Sequence, residues 1–254
     1  MGVDIQKVMM KRFKMIPDIP QQYWEGLPLL NLGQVNNAYL HFKEESLSLK
    51  GQFPELNLGQ TEDGIPTFEG KLILSDEKSN PIDSYEIRIV CSIDYPQSFP
   101  FVFETKNRIP INIDWHVHTD GHACLCTWPE EVIYCHKGIT LESFLSEHVI
   151  PYFFNQKYRE MHGFFLQERA HGKLGTMDFF KEKFRTSNLK LIINWLEFIK
   201  SNPEPSRTNE CFCGSGEKFR KCHRSEFREF KILPVETIIN FIQYIKLSNP
   251  IFKN

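Results

Sequence analysis

Residues 85–105 read YEIRIVCSIDYPQSFPFVFET. The first nine, Tyr85 to Ile93, alternate apolar with polar side chains, the period of a half-buried strand. A proline-rich turn at Tyr95-Pro96 follows, and Phe101 to Glu104 has the composition of a second, shorter strand. Two further strands are expected upstream, at Leu47 to Phe53 and Thr67 to Leu74, with turn residues Asp63-Gly64 and Ser79-Asn80-Pro81 between the segments. Four short strands with short connections predict an antiparallel meander.

Helices are expected on both sides of it. Pro20 to Lys43 forms the first, although Gly26 and Pro28 weaken its beginning. Beyond the meander, Ile109 to Gly138 has no clear period and carries most of the His and Cys; irregular segments of that length are usually functional loops. Helical periodicity returns with Leu141, Phe144, Leu145, Val149, Tyr152 and Phe153, with Thr140 as N-cap and Pro151 expected to kink or end the run. Thr176 is expected to start MDFFKEKF, and LKLIINWLEFIK is an amphipathic helix ending before Pro203. SNPEPSRTNE, residues 201–210, reads as a linker, and a last helix is expected from Val235 to Leu247.

Composition narrows the function. The chain has 254 residues, 41% hydrophobic and 24% charged, as in a soluble globular protein with a core of its own. A net charge of -2 gives no general attraction to nucleic acid or anionic lipid. No apolar run reaches the roughly 18 residues of a membrane span. The start, MGVDIQKVMMKRFK, lacks the features of a secretion signal, and Gln6 breaks the myristoylation pattern. Seven cysteines, an odd number, favour metal-binding or reactive thiols over a disulfide framework. A cytoplasmic location is the resulting expectation.

The cysteines fall into two clusters of identical spacing, C-x-C-x8-C-H: CLCTWPEEVIYCH from Cys124 to His136, and CFCGSGEKFRKCH from Cys211 to His223. In the second, Gly214 and Gly216 let the backbone fold sharply beneath an ion. Cys211, Cys213, Cys222 and His223 make three thiolates and one imidazole, a tetrahedral zinc shell. Around twenty residues cannot bury enough core to stand alone, so the metal would supply their folding free energy. The segment resembles the SEC-C motif, a small zinc module whose presence implies docking rather than catalysis. Lys218, Arg220, Lys221 and Arg224 make its face basic, suiting an acidic partner or merely solvating it.

The first cluster lacks those glycines. Between Cys126 and Cys135 the residues TWPEEVIY are bulky and acidic, although His116, His118 and His122 lie close enough in sequence to complete a second metal site. The upstream context points elsewhere. YPQSFPFVFET followed by HVHTDGHACL, residues 116–125, resembles the core of ubiquitin-conjugating enzymes, in which a Tyr-Pro turn, a last strand and a histidine-led loop deliver a catalytic cysteine. Within the family, the bacterial stand-alone members of CBASS anti-phage operons are most similar, through DSYEIRIV, ETKNRIP, the His-to-Cys-Leu step, PYFFNQKYRE and HGKLGTMDFF. The resemblance spans roughly residues 15 to 185.

That resemblance implies an α+β ubiquitin-conjugating (UBC) fold, with Cys124 as the nucleophile and His116 leading its loop. It also implies a carried protein C terminus, that of a CBASS nucleotidyltransferase rather than ubiquitin, with the acceptor protein unspecified. One departure matters: the family's His-Pro-Asn is here His116-Val117-His118, so the asparagine that supports the oxyanion is absent. The expected organisation is a conjugating-type domain over 1–186, a helix and linker over 187–204, and the zinc module with its C-terminal helix over 205–254. Three functions follow: a transferase charged on Cys124, an inactive UBC-fold binding module, or an adaptor with two zinc sites. No Gly-rich nucleotide-binding turn is present, so any ATP chemistry would come from another protein.

Overall fold

The structure is a computed structural model, describing residues 32–249. In chain order the elements are helix α1 (Leu32–Ser48), strands β1 (Leu56–Gln60), β2 (Pro66–Ser75), β3 (Pro81–Val90) and β4 (Phe101–Glu104), then helix α2 (Trp128–His136). Helix α3 follows as Leu141–Phe144, a π turn Leu145–Val149, and Ile150–His162. Helices α4 (Gly172–Phe184), α5 (Leu189–Ser201), α6 (Arg224–Lys231) and α7 (Val235–Ser248) complete the chain. The protein is therefore mixed α+β. Among the described residues no helix is long and apolar enough to cross a membrane.

The four strands form one antiparallel sheet in the order β1-β2-β3-β4, the expected meander. Alternation in β3 carries through to burial: Tyr85, Ile87 and Ile89 are buried while Arg88 is exposed. The expected strand at Leu47–Phe53 is instead the end of α1 and a 3-10 turn, Leu49–Gly51. Its residues continue the helical period of Val35, Ala38, Tyr39, Phe42 and Ser46, and Leu49 is buried in step with them. The first strand starts five residues later at Leu56–Gln60, opposite Gly70. Gly70 has φ +139°, and a Cβ there would lie 2.2 Å from the Glu55 carbonyl oxygen, so only glycine fits. The expected helix from Pro20 lies outside the described residues up to position 31.

The residues pack as two units: residues up to 126 with 138–169, and residues 127–137 with 170–254. In the first, the sheet packs against α1 and α3, with Tyr85 and Phe153 rings 4.7 Å apart and Phe99 and Phe144 5.0 Å apart. Thr140 caps α3 by accepting from the Ser143 amide at 3.2 Å, as expected. Pro151 does not end that helix. The π turn just before it re-spaces the backbone bonds where the proline lacks an N–H. Arg108 ties the start of the histidine-rich loop to the sheet and to α3, bonding Asp83 at 2.6 Å and Glu160 at 2.7 Å and lying 4.1 Å over the Tyr85 ring.

The second unit is helical and rich in phenylalanine. Phe230 meets Phe179, Phe180, Phe184 and Phe241, joining α4, α6 and α7. Thr176 is buried inside α4 rather than starting it. Gly175 permits that earlier start, since a Cβ there would lie 2.1 Å from the Ala170 carbonyl oxygen. Helix α5 begins at Asn188, whose side chain accepts from the Lys190 and Leu191 amides. This grouping differs from the expected boundaries at 186/187 and 204/205. Phe198 of α5 stacks on Phe212 at 4.8 Å, and Glu204 in the expected linker holds Arg224 and Arg228, each at 2.8 Å. Aromatic contacts therefore bind 170–204 to the cysteine module as one core.

Candidate functional site

Two sites emerge, one in each unit. The first is the loop after β4. A 3-10 turn, Ile113–Trp115, ends at His116 in the left-handed conformation, φ 53°, which reverses the chain. His118 and Gly121 then close a tight turn: Gly121 N donates to His118 O at 2.8 Å, and His118 N to His122 O at 2.9 Å. The returning segment is fastened on both sides. Ala123 N donates to Val102 O of β4 at 2.7 Å, and Cys124 N to His116 O at 2.8 Å. Tyr152 of α3 also donates to His116 O, at 3.2 Å. Gln156 holds Trp115 O at 2.6 Å, and Arg159 bonds Asp114 O while lying 4.0 Å over the Trp115 ring.

His116 is buried, with its ring edge-on to Phe165 at 4.9 Å and Nε2 3.7 Å from Glu168. Its carbonyl positions the Cys124 backbone. Cys124 is half-buried on this pinned loop, as is Cys126. The Tyr152 phenol is pushed up mainly by burial, with the Cys124 thiol adding to the effect. On the segment leading to Cys124, Gly121 and Ala123 line a cleft of about 160 Å³ with Val117, Ile109, Tyr152 and Phe153. Asp120 also lines it, and the buried His122 ring lies edge-on to Phe101 at 5.4 Å and stacks on His118 at 4.0 Å. Its Nδ1–H donates to Asp120 at 2.6 Å.

The remainder of the first cysteine cluster is elsewhere. Residues 127–137, expected to be irregular, contain α2, and belong to the second unit. Thr127 and Glu130 form a capping box, the Thr127 amide and hydroxyl each donating to the Glu130 carboxylate at 2.8 Å. Cys135 is buried on that helix, and His136 Nδ1 is spent on the Val132 carbonyl at 2.9 Å. None of Cys126, Cys135, His136, His118 and His122 belongs to a set of three or more potential ligand atoms gathered within 4.8 Å among the described residues. The second metal site anticipated from spacing is therefore not assembled from these five, whereas His116 and Cys124 do bring potential ligand atoms within 4.8 Å of one another.

The second site is assembled as expected. Cys211, Cys213, Cys222 and His223 bring their ligand atoms within 4.8 Å of one another. Cys213 Sγ lies 3.6 Å from Cys222 Sγ, and His223 Nδ1 lies 3.2 Å from Cys222 Sγ and 3.5 Å from Cys211 Sγ. A tetrahedral shell with Zn–S of about 2.3 Å has S–S edges of about 3.7 Å, so these separations fit zinc. Gly214 and Gly216 take φ of 78° and 75° and make the knuckle turn. His223 Nε2–H donates to the Phe184 carbonyl at 3.2 Å, which leaves Nδ1 as the ligand nitrogen. Burial depresses the His223 pKa, favouring the neutral imidazole that a metal needs.

Arg185, at the end of α4, donates to the Cys222 carbonyl at 2.7 Å and to Glu226 at 3.3 Å. Of the four basic residues expected to face a partner, Lys218, Arg220 and Lys221 are exposed, while Arg224 is engaged by Glu204.

Residues 207–225 match the SEC-C motif, a zinc-binding type of module, and that span contains all four ligands. Among solved structures, the chain is similar to the yeast vps23 UEV domain in complex with a vps27 PSDP peptide, with 16% identity over 48% of this chain and 92% of that one and a TM-score of 0.30. No curated protein matches the chain.

Proposed function

We propose that the chain is a ubiquitin-conjugating-like transferase that carries a protein C terminus as a thioester on Cys124 and passes it to an amine acceptor. The observation that carries this reading is a half-exposed thiol on a loop fastened from three directions: to β4 through Ala123, to His116 through its own amide, and to α3 through Tyr152. A buried structural cysteine such as Cys135 needs no such framing. Transthiolation asks for a reachable sulfur in a fixed place rather than for a deeply acidic one, because an unperturbed thiol is already about 3% thiolate at neutral pH. The UBC fold, the CBASS nucleotidyltransferase as acyl donor, and a cytoplasmic role in anti-phage defence come with the sequence resemblance and form part of the proposal.

In the same reading zinc occupies Cys211, Cys213, Cys222 and His223, and the exposed Lys218, Arg220 and Lys221 offer a docking face for an acidic partner. One observation favours an inactive binding module instead: His118 stands where the family has its oxyanion asparagine. A charging assay separates the two. Incubated with its activated donor, the wild-type protein should form a thiol-sensitive adduct. Cys124→Ser should give a thiol-resistant oxyester and Cys124→Ala none, while Cys126→Ala and Cys135→Ala should charge. No adduct in any version, with a competent donor present, establishes the binding module.

A further inference from the structure

Resting on zinc occupancy of the Cys3His cluster and not on the transferase reading, we propose that Cys213 and Cys222 form an oxidation site, at which peroxide joins the two sulfurs as a disulfide and the ion is released. The four ligands differ in their access to solvent. Cys211 and His223 are buried, at 4% exposure each, whereas Cys213 and Cys222 are half-buried. The sulfurs of the half-buried pair lie 3.6 Å apart and make the solvent-side edge of the cluster.

The chain around that edge is open. Gly214, Ser215, Gly216, Glu217 and Lys218 are all exposed, and a Cβ at Gly214 or Gly216 would meet no atom within 4 Å. Cys222 Sγ lies 3.5 Å from the exposed Ser215 hydroxyl. The other side of the cluster is closed: His223 Nε2–H is fixed on the Phe184 carbonyl at 3.2 Å, and its ring packs 5.1 Å from Trp195. A small oxidant therefore meets Cys213 and Cys222 before Cys211. Susceptibility follows thiolate character and exposure, and metal binding holds both sulfurs as thiolates.

The step balances. The Cys213 sulfur attacks one peroxide oxygen: an S–O bond forms, the O–O bond breaks and hydroxide leaves. The Cys222 thiolate then attacks the sulfenic sulfur, forming the S–S bond and expelling a second hydroxide. Two thiolates are oxidised by two electrons, and the peroxide is reduced to two hydroxides. The sulfurs close from 3.6 Å to about 2.05 Å, a movement taken up by the glycine knuckle between them. Only Cys211 and His223 then remain as ligands, too few for a structural zinc site. Lys218, Arg220 and Lys221 lie in the interval that the disulfide closes, which ties the basic face to the oxidation state of the pair.

The test uses the full chain, with bound zinc first measured by atomic emission. Hydrogen peroxide is added, released zinc is read with a chromogenic chelator, and free thiols are alkylated before unreduced peptides are mapped by mass. About one zinc per chain should leave, in step with a Cys213–Cys222 cross-link in which Cys211 is alkylated. A dithiol with added zinc should reverse both changes. Cys213→His keeps a four-ligand set but removes the pair, and should release zinc about ten-fold more slowly than wild type. If that variant fails to fold, the wild-type peptide map still decides. A cross-link through Cys211, sulfinic acid without a disulfide, or zinc retained at peroxide levels that oxidise Cys124 overturns this proposal alone. Wild-type protein that binds no zinc overturns the metal reading and the proposal with it.

Discussion

Removing metal should unravel far more than the cysteine knuckle. The four ligand atoms form a shell of zinc dimensions, and two of them are anchored to helices outside the motif: His223 Nε2 to the Phe184 carbonyl at 3.2 Å, and Cys222 through its carbonyl to Arg185 at 2.7 Å. Phe212, between two ligands, stacks on Phe198 of α5, and fully buried Phe219 and Phe227 lie behind it. Loss of the ion leaves three thiols and a buried imidazole crowded without compensation, with burial pushing the Cys211 thiol up to about 12. At free zinc a hundred times its Kd, binding adds about 2.7 kcal/mol to the folded state. For a unit of about a hundred residues each kcal/mol moves Tm by about 4–8 °C, so chelation should lower the melting of the second unit by about 10–20 °C. Hydrogen exchange with and without chelator gives the location: peptides from 172–201 should exchange faster once metal is removed. If only 207–225 opens and 172–201 keeps its protection, the motif is a tethered bead and the aromatic coupling argued above is wrong.

Gly70→Ala should destabilise the sheet unit by about 2–4 kcal/mol, through both its positive φ and the clash with the Glu55 carbonyl; a urea midpoint shifted by under about 0.5 kcal/mol would contradict the backbone geometry. Phe230→Ala removes a fully buried ring that touches four others and should cost about 3–5 kcal/mol in thermal or chaotrope melts of the second unit. Asp83 is held well below the usual carboxylate range, chiefly by its hydrogen bond to Arg108 despite some desolvation. Its stabilising contribution is thus complete above the unfolded value of about 3.9 and lost as pH falls through the lower folded value. Asp83→Asn should flatten the acid limb of the stability curve below about pH 4, and an unchanged limb would show that the ion pair is inert.

Strand content was legible where one face is buried and one is wet. Tyr85, Ile87 and Ile89 alternate with Glu86 and Arg88 in sequence and in burial, and β4 begins and ends at the expected residues. The misassigned strand at Leu47–Phe53 is a short apolar run whose period is ambiguous by itself; the helical rows from Val35 onward identify it only when α1 is followed past Lys43. Pro151 misled because the rule that proline ends a helix assumes an α ladder, and a π turn supplies the missing offset. At the Cys3His cluster the candidate ligands were legible from spacing and glycines. The outer contacts were not, since Phe184 contributes a backbone carbonyl and Arg185 a guanidinium from a helix distant in sequence. The Asp120–His122 bond lay within a three-residue span, yet only the turn through Gly121 brings carboxylate and imidazole together.

The two cysteine clusters share the spacing C-x-C-x8-C-H and reach opposite outcomes, and the intervening residues decide between them. Thr127, Pro129 and Glu130 carry helix-starting chemistry, and once α2 forms, Cys135 and His136 are committed to a helix whose buried face and backbone carbonyl use them. Gly214 and Gly216 carry no helix signal and supply two positive φ values, so the same eight-residue interval doubles back and returns Cys222 and His223 to the first thiols. Spacing therefore measures only how much chain separates potential ligands. Whether that chain extends as a rod or folds as a knuckle fixes whether they meet, and in the first cluster the rod leaves Cys124 on its loop without Cys135 and His136 as co-ligands. The fold thus withholds Cys135 and His136 from Cys124, while His116 keeps a ring nitrogen within 4.8 Å of its sulfur.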